Sequence, residues 1–170
     1  MHTALDVRAL SSRYAVRPLL RPDAPAVLAL CEGNPLFYRY HPPFVTLQSI
    51  YDDMDALPPG RTVANKHYVG FWSGGELVAV LDLVENYPLE DTAMLGFFMM
   101  DARHQGRGEG SAIIGGCMAC LRDAGFACVR LGIDRDNPQS RAFWTKNGFV
   151  LTGEEVPNDF SSYLMMERNL

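Results

Sequence analysis

One short stretch concentrates the residues that could do chemistry: Gln105-Gly106-Arg107-Gly108-Glu109-Gly110-Ser111. It follows a continuous apolar run, Met94 to Met100, and precedes a helical pattern. Glycines let a backbone approach a ligand closely. The free amides at a helix start, with the helix dipole behind them, favour a phosphate. Arg103 and Arg107 would add positive charge. The alternative is a tight strand-to-helix turn with no ligand. Three glycines at alternate positions exceed what a turn needs, so the anion site is the reading adopted. Other phosphate motifs fit poorly. A P-loop needs Gly-Lys-Ser/Thr, which is missing here. The dinucleotide fingerprint G-x-G-x-x-G has its third glycine one residue later, and it belongs after the first strand of a parallel sheet.

A second constellation lies downstream: Asn137-Pro138-Gln139-Ser140-Arg141-Ala142-Phe143-Trp144-Thr145-Lys146-Asn147-Gly148-Phe149. Together the two motifs resemble the GNAT superfamily, the Gcn5-related N-acetyltransferases. The family's Gln/Arg-x-x-Gly-x-Gly/Ala loop reads here as Gln105-x-x-Gly108-x-Gly110. Its downstream Asn, Ala, aromatic helix residues and Gly-Phe read as Asn137, Ala142, Phe143, Trp144 and Gly148-Phe149. The resemblance runs from about residue 68 to Val150. It implies a mixed, mostly antiparallel α/β sheet with a splayed parallel strand pair, flanked by helices.

The same resemblance implies acetyl-CoA as co-substrate, with no metal. Its pantetheine arm would lie between the parted strands, near the backbone of Met99 and Met100. Its pyrophosphate would sit on amides of Gln105, Gly106, Arg107, Gly108, Glu109, Gly110 and Ser111. Asn137 would reach the pantetheine and Phe143 would pack beside it. Asn137 also reads as a helix cap, and Phe143 as core. The acceptor would be the primary amine of a small molecule or peptide, attacking the thioester directly in a ternary complex. A rival reading is an acyl-CoA-binding sensor with little catalysis. Dimers are common in the family.

The proton-transfer residues are less defined. An alkylammonium must lose a proton before it attacks, and a carboxylate can take it. Asp82 and Glu85 fall near the end of the strand before the cofactor strand. Alternation puts them on opposite faces, and Glu85 is taken as the base, with Asp101 as a third choice. Many family members carry Tyr where this chain has Trp144. Indole cannot protonate a leaving thiolate, so Tyr87 and Tyr163 become candidate acids. A thiol pKa of about 8.5 also allows unassisted departure. Trp144 would then wall the acyl site or belong to the core. Phe37, Tyr38, Tyr40 and His41 lie in a connection that would either close over the acceptor or staple a loop to the core. His41 alone does not indicate a metal.

These residues need a scaffold, and the pattern supplies one. Tyr14 to Leu19 reads as a strand, Pro22 to Cys31 as a helix, and 34–43 as a loop. Thr46 caps a helix over 46–57, stopped by Pro58-Pro59-Gly60. Tyr68 to Trp72 and Glu76 to Val84 form a hairpin turned at Gly74-Gly75. Met94 to Met100 is a buried strand. Ile113, Ile114, Cys117, Met118 and Leu121 mark one face of a helix ending at Gly125. Ala127 to Ile133 alternates as a strand, Pro138 to Lys146 is a helix with Asn137 as N-cap, and 149–156 and 163–168 are final strands. The strand–loop–helix–strand unit over 94–133 implies a parallel pair.

The 170 residues fit a single domain, 1–170, and 48% are apolar, enough for a substantial core. Fifteen basic against 20 acidic side chains, a formal charge of −5, argue against a nucleic-acid partner. No stretch approaches the roughly 18 apolar residues of a membrane span, and no leader is visible, so a cytoplasmic protein is expected. Cys117-x-x-Cys120 lies inside a helical pattern without a second pair. It reads as small buried side chains rather than a zinc or redox pair.

Overall fold

The computed structural model describes residues 2–170. Seven strands form one sheet: β1 (Ala15–Pro18), β2 (Lys66–Ser73), β3 (Glu76–Glu85), β4 (Thr92–Met100), β5 (Cys128–Asp134), β6 (Val150–Pro157) and β7 (Ser162–Asn169). Their order across the sheet is β1-β2-β3-β4-β5-β7-β6. Every neighbouring pair is antiparallel except β4 and β5. Five helices flank it: α1 (Ala24–Glu32), α2 (Pro35–Tyr40), α3 (Leu47–Asp55), α4 (Glu109–Ala124) and α5 (Pro138–Lys146). The expected mixed sheet with one parallel pair is the sheet observed.

Strand alternation divides the core into two layers. Val69, Leu81 and Leu83 pack with Ile113, Ile114, Cys117 and Leu121 of α4. Tyr68 and Val80 face the other way, onto Val27, Leu30 and Ile50 of α1 and α3. Both faces are therefore covered, which is why β3 and β4 read as nearly continuous apolar runs.

The helix ends follow the expected chemistry. The Thr46 hydroxyl accepts from the Ser49 amide at 3.1 Å, and the Asn137 carboxamide accepts from the Ser140 amide at 3.1 Å. Gly125 closes α4 in the left-handed conformation, φ +104°. The stretch 34–43 departs from its reading as a loop. Six of its residues form α2, which starts on Pro35 at the first helical position. A one-and-a-half-turn helix with Phe37 and Tyr38 packed below it shows too little periodicity to read in advance.

Alpha4 is also clamped by the N-terminal segment. A 3₁₀ turn over Val7–Leu10 lies across it, and a Cβ on Gly116 would meet the Leu10 carbonyl oxygen at 2.9 Å. The obstacle is backbone, so it cannot step aside. Gly116→Ala is expected to lower stability by about 1–3 kcal/mol, the usual range for overpacking. A lower urea midpoint with unchanged slope is the signature. An unchanged midpoint would mean that the N-terminal turn is not seated on α4.

Candidate active site

Beta4 and β5 pair in parallel only from Thr92–Cys128 to Leu95–Leu131. Beyond those four residues the ladder stops, and Gly96 to Met100 part from Gly132 to Asp134. A bulge in the β3–β4 register at the same point, between Asp82–Phe97 and Leu83–Leu95, turns β4 further away. The opening is a cleft of about 1360 Å³. Ordinary small-molecule sites occupy roughly 300–1,000 Å³, so the cleft exceeds that range.

One end of the cleft is the glycine loop. Gly106 and Gly108 have φ of +77° and +78°, a conformation L side chains rarely adopt, and Gly108 is the N-cap of α4. The first bond of α4 runs from the Ala112 amide to the Gly108 carbonyl at 3.0 Å. Among the described residues, the amides of Gly106 through Ser111 meet no protein acceptor. Gly110 has a different reason to be glycine: a Cβ there would lie 2.9 Å from Met100 Sδ and 3.2 Å from Phe143 Cε2.

Gln105, Gly106, Gly108, Gly110 and Ser111 line the cleft, as do Met99, Met100 and Phe143. The Phe143 ring stacks on Phe98 at 6.0 Å between centroids. The Gln105 side chain donates to the Met100 carbonyl at 3.0 Å and to Asn34 Oδ1 at 2.6 Å, while the Asn34 amide donates to the same carbonyl at 3.0 Å. Asn34 thus ties the end of β4 to the end of α1, a role with no local sequence signal.

Other expected ligands sit outside the cleft wall. Asn137 is 2% exposed and its carboxamide caps α5, so the capping role is the one its side chain fills. The Glu109 side chain is buried and paired with Arg13 at 3.0 Å, leaving only its backbone for the loop. Arg103 is committed to Asp101 at 2.9 Å and to Glu76, whereas Arg107 pairs with no carboxylate and donates to the Arg103 carbonyl at 2.7 Å.

The expectation for Glu85 is not met by the geometry. Beta3 runs antiparallel to β4, so its last residue lies opposite Ala93, at the paired end of the seam and away from the opening. There the carboxylate bonds His67 rather than lining the cleft. Asp101 is also removed as a base. It caps the turn that follows β4, and the Arg103 guanidinium holds its carboxyl below the usual carboxylate range. Trp144 is 8% exposed, edge-on to Phe143 and Phe149, and belongs mainly to the core. Cys117 is likewise a core side chain, its thiol pushed up to about 12 by burial.

The other end of the cleft gathers His41, Asp53, Asp82, Asp134 and Tyr163, while Tyr87 lines it near the paired end of the seam. Both oxygens of Asp82 take the Lys66 ammonium at 3.0 Å. Burial raises the Asp82 carboxyl more than Lys66 lowers it. Asp53 is open to the cleft, yet the surrounding protein and the like charge of Asp82 push its carboxyl up to about 6. His41 Nδ1 lies 3.1 and 3.2 Å from the two oxygens of Asp134, and that bond raises the imidazole pKa. Burial keeps the Tyr163 phenol protonated above its ordinary range.

A glycine-led helix start, a parallel pair that parts after four residues and a cleft between them are the features that set the fold class. The family model described as "Acetyltransferase (GNAT) family" matches residues 28–149, and the chain belongs to that family. No curated protein matches the sequence. The fold matches an acetyltransferase from Thermus thermophilus over all of both chains, at 24% identity and a TM-score of 0.73. It also matches the ribosomal-protein-S18-alanine N-acetyltransferase from Escherichia coli at 16% identity, covering 91% of this chain and 92% of that one, TM-score 0.66. A third match is the PaiA N-acetyltransferase from Thermoplasma acidophilum in complex with coenzyme A: 16% identity, 91% and 98% covered, TM-score 0.65. Among the described residues no helix is long and apolar enough to cross a membrane.

Proposed function

We propose that the chain transfers the acetyl group of acetyl-CoA to the primary amine of a small molecule or peptide, in a ternary complex. The observation that carries this reading is the run of unpartnered amides from Gly106 to Ser111 at the head of the split between β4 and β5. Six N–H groups at a helix start form a cradle for a pyrophosphate, and Arg107 lies beside it free of carboxylates. The edges of β4 and β5 beyond Leu95 and Leu131 leave backbone groups for an amide-bearing arm. Phe143 and Met100 give that arm an apolar wall. The solved relative that holds coenzyme A supports the same occupant.

Acetyl-CoA supplies an activated acyl group whose thiol, with a pKa of about 8.5, leaves readily. The protein's part is placement and proton handling. The N–H groups along the opened edge of β4 offer stabilisation to a developing oxyanion. Trp144 has no acidic proton to give. Tyr163 lines the cleft and keeps its phenol protonated at neutral pH, so it takes the donor role toward the leaving thiolate.

The test is release of CoA thiol from acetyl-CoA with a panel of polyamines, amino acids, drug amines and peptides bearing free amino termini. Turnover with at least one class is expected, with an acetylated product by mass spectrometry. Tight acetyl-CoA binding without turnover on any amine would favour a sensor over an enzyme.

A further inference from the structure

The acceptor end contains an arrangement that neither motif announces. His41 is the C-cap of α2 and Asp134 ends β5, 93 residues apart, and they meet through His41 Nδ1 and both Asp134 oxygens. Asp134 is 8% exposed. It stands three residues beyond Leu131, the last paired position of the seam, so it belongs to the opened part of β5. Phe37 carries the imidazole toward the opposite bank: its ring lies 5.2 Å from His41 and 6.0 Å from Phe97 of β4. His41 therefore stands over the gap itself. With Nδ1 committed, Nε2 is the nitrogen left, and no protein group bonds it among the described residues.

We propose, on the acyl-transfer reading above, that His41 Nε2 takes the proton from the acceptor's ammonium and that Asp134 positions His41 for it. Of the three protons on the incoming ammonium, one passes to Nε2 and on to solvent, one ends on the CoA thiol and one stays on the new amide. The carbon–sulfur bond of the thioester breaks as the carbon–nitrogen bond forms, and no oxidant or metal is needed. In the working form Nδ1–H donates to Asp134 and Nε2 carries a lone pair. Removing Asp134 would release the tautomer and the orientation together.

The neighbouring groups support this choice. Asp82 has both oxygens on Lys66, and Glu85 and Asp101 are held elsewhere. The charged or titratable groups facing His41 are Asp134 from β5, Asp53 from α3 and Tyr163 from β7, whose ring lies 6.1 Å away. The two carboxylates favour imidazolium, so His41 loses its proton at a higher pH than a free imidazole. Activity is therefore low on the acid side and rises as pH passes through the raised His41 pKa.

The experiment is a pH profile of kcat/KM for the wild type, His41→Gln, Asp134→Asn and Asp53→Asn, with acetyl-CoA binding by calorimetry and His41 titration by nitrogen-15 NMR. His41→Gln is expected to lose about 10²–10⁴-fold in kcat/KM, the usual share of a general base, and to lose the acid limb, with unchanged acetyl-CoA affinity. Asp134→Asn is expected to move both the limb and the NMR titration to lower pH, which a structural role would not do. Asp53→Asn should keep the limb, shifted slightly down. A limb that survives His41→Gln, or one that disappears with Asp53→Asn alone, would overturn the assignment and leave acyl transfer standing. A wild type that fails to bind acetyl-CoA would overturn both.

Discussion

Gly108→Val is expected to weaken acetyl-CoA binding by about 10²–10⁴-fold in calorimetry while leaving the thermal unfolding midpoint close to that of the wild type. Gly108 is left-handed, φ +78°, and a Cβ at that position meets nothing within 4 Å. The substitution is therefore strained without being crowded. Valine is a poor occupant of that conformation, which costs roughly 1–2 kcal/mol for an L residue. The loop relieves the strain by rotating its peptides. Rotation turns the amides flanking the N-cap away from a common point. Hydrogen bonds to a charged partner are worth roughly 1.5–3 kcal/mol each, and losing two of them amounts to about 3–6 kcal/mol, hence the fold-change. Gly110→Ala is a different experiment, because its Cβ would press on Met100 and Phe143 and disturb packing as well as binding. Retained affinity in Gly108→Val would show that the loop does not hold the pyrophosphate.

Lys66→Met is expected to destabilise the protein by about 3–5 kcal/mol, the usual consequence of stripping one partner from a buried ion pair. Lys66 and Asp82 side chains are 7% and 13% exposed, and both Asp82 oxygens depend on the same ammonium. Without it a largely buried carboxylate beside Asp53 loses its cationic partner. The pH dependence follows from the raised pKa of Asp82. A carboxyl raised on folding binds more protons in the native than in the unfolded state between its unfolded pKa of 3.8 and its folded value. Its contribution to stability therefore falls as pH rises through that window. The variant should be weakest near neutrality and recover part of the loss as pH falls toward about 4. The double substitution Lys66→Met with Asp82→Leu should regain most of the stability, and a coupling energy near zero would show that the pair is not the source of the loss.

The parts of this molecule that were legible from sequence are those in which neighbouring residues act together. The glycine loop, the capped helix starts at Thr46 and Asn137, the Gly74-Gly75 hairpin and the α4 face depend on spacing within one element. The mixed sheet followed from their order and from the resemblance of two motifs. The acceptor end lies beyond such reasoning, because His41 and Asp134 meet through tertiary packing. Glu85 failed for a related reason. Alternation assigns residues to faces, but which end of β3 approaches the opening depends on where β4 and β5 part. Asp82, near that end, lies beside a bulge at Gly96 that no local pattern reports; a Cβ on Gly96 would meet its carboxylate at 3.0 Å. Asn137 reads as a ligand and a cap at once; its carboxamide oxygen accepts from the Ser140 amide, and burial keeps the side chain out of the cleft lining.

The parting of β4 from β5 also creates an edge strand in the middle of a sheet. Unpaired strand edges invite other strands, and proteins ordinarily blunt them. The outer edges here carry such devices: Pro18 in β1, and Gly153, Glu154, Glu155 and Pro157 in β6, whose register slips between Leu151 and Glu155. The inner edge of β4 carries none, since Gly96 to Met100 is uncharged and strongly apolar. Its protection is architectural. Alpha2 and α5 stand over the two sides of the slot, with His41, Phe37 and Phe143 in its lining. The opened edge of β4 is thus covered by helices rather than blunted by charge or proline.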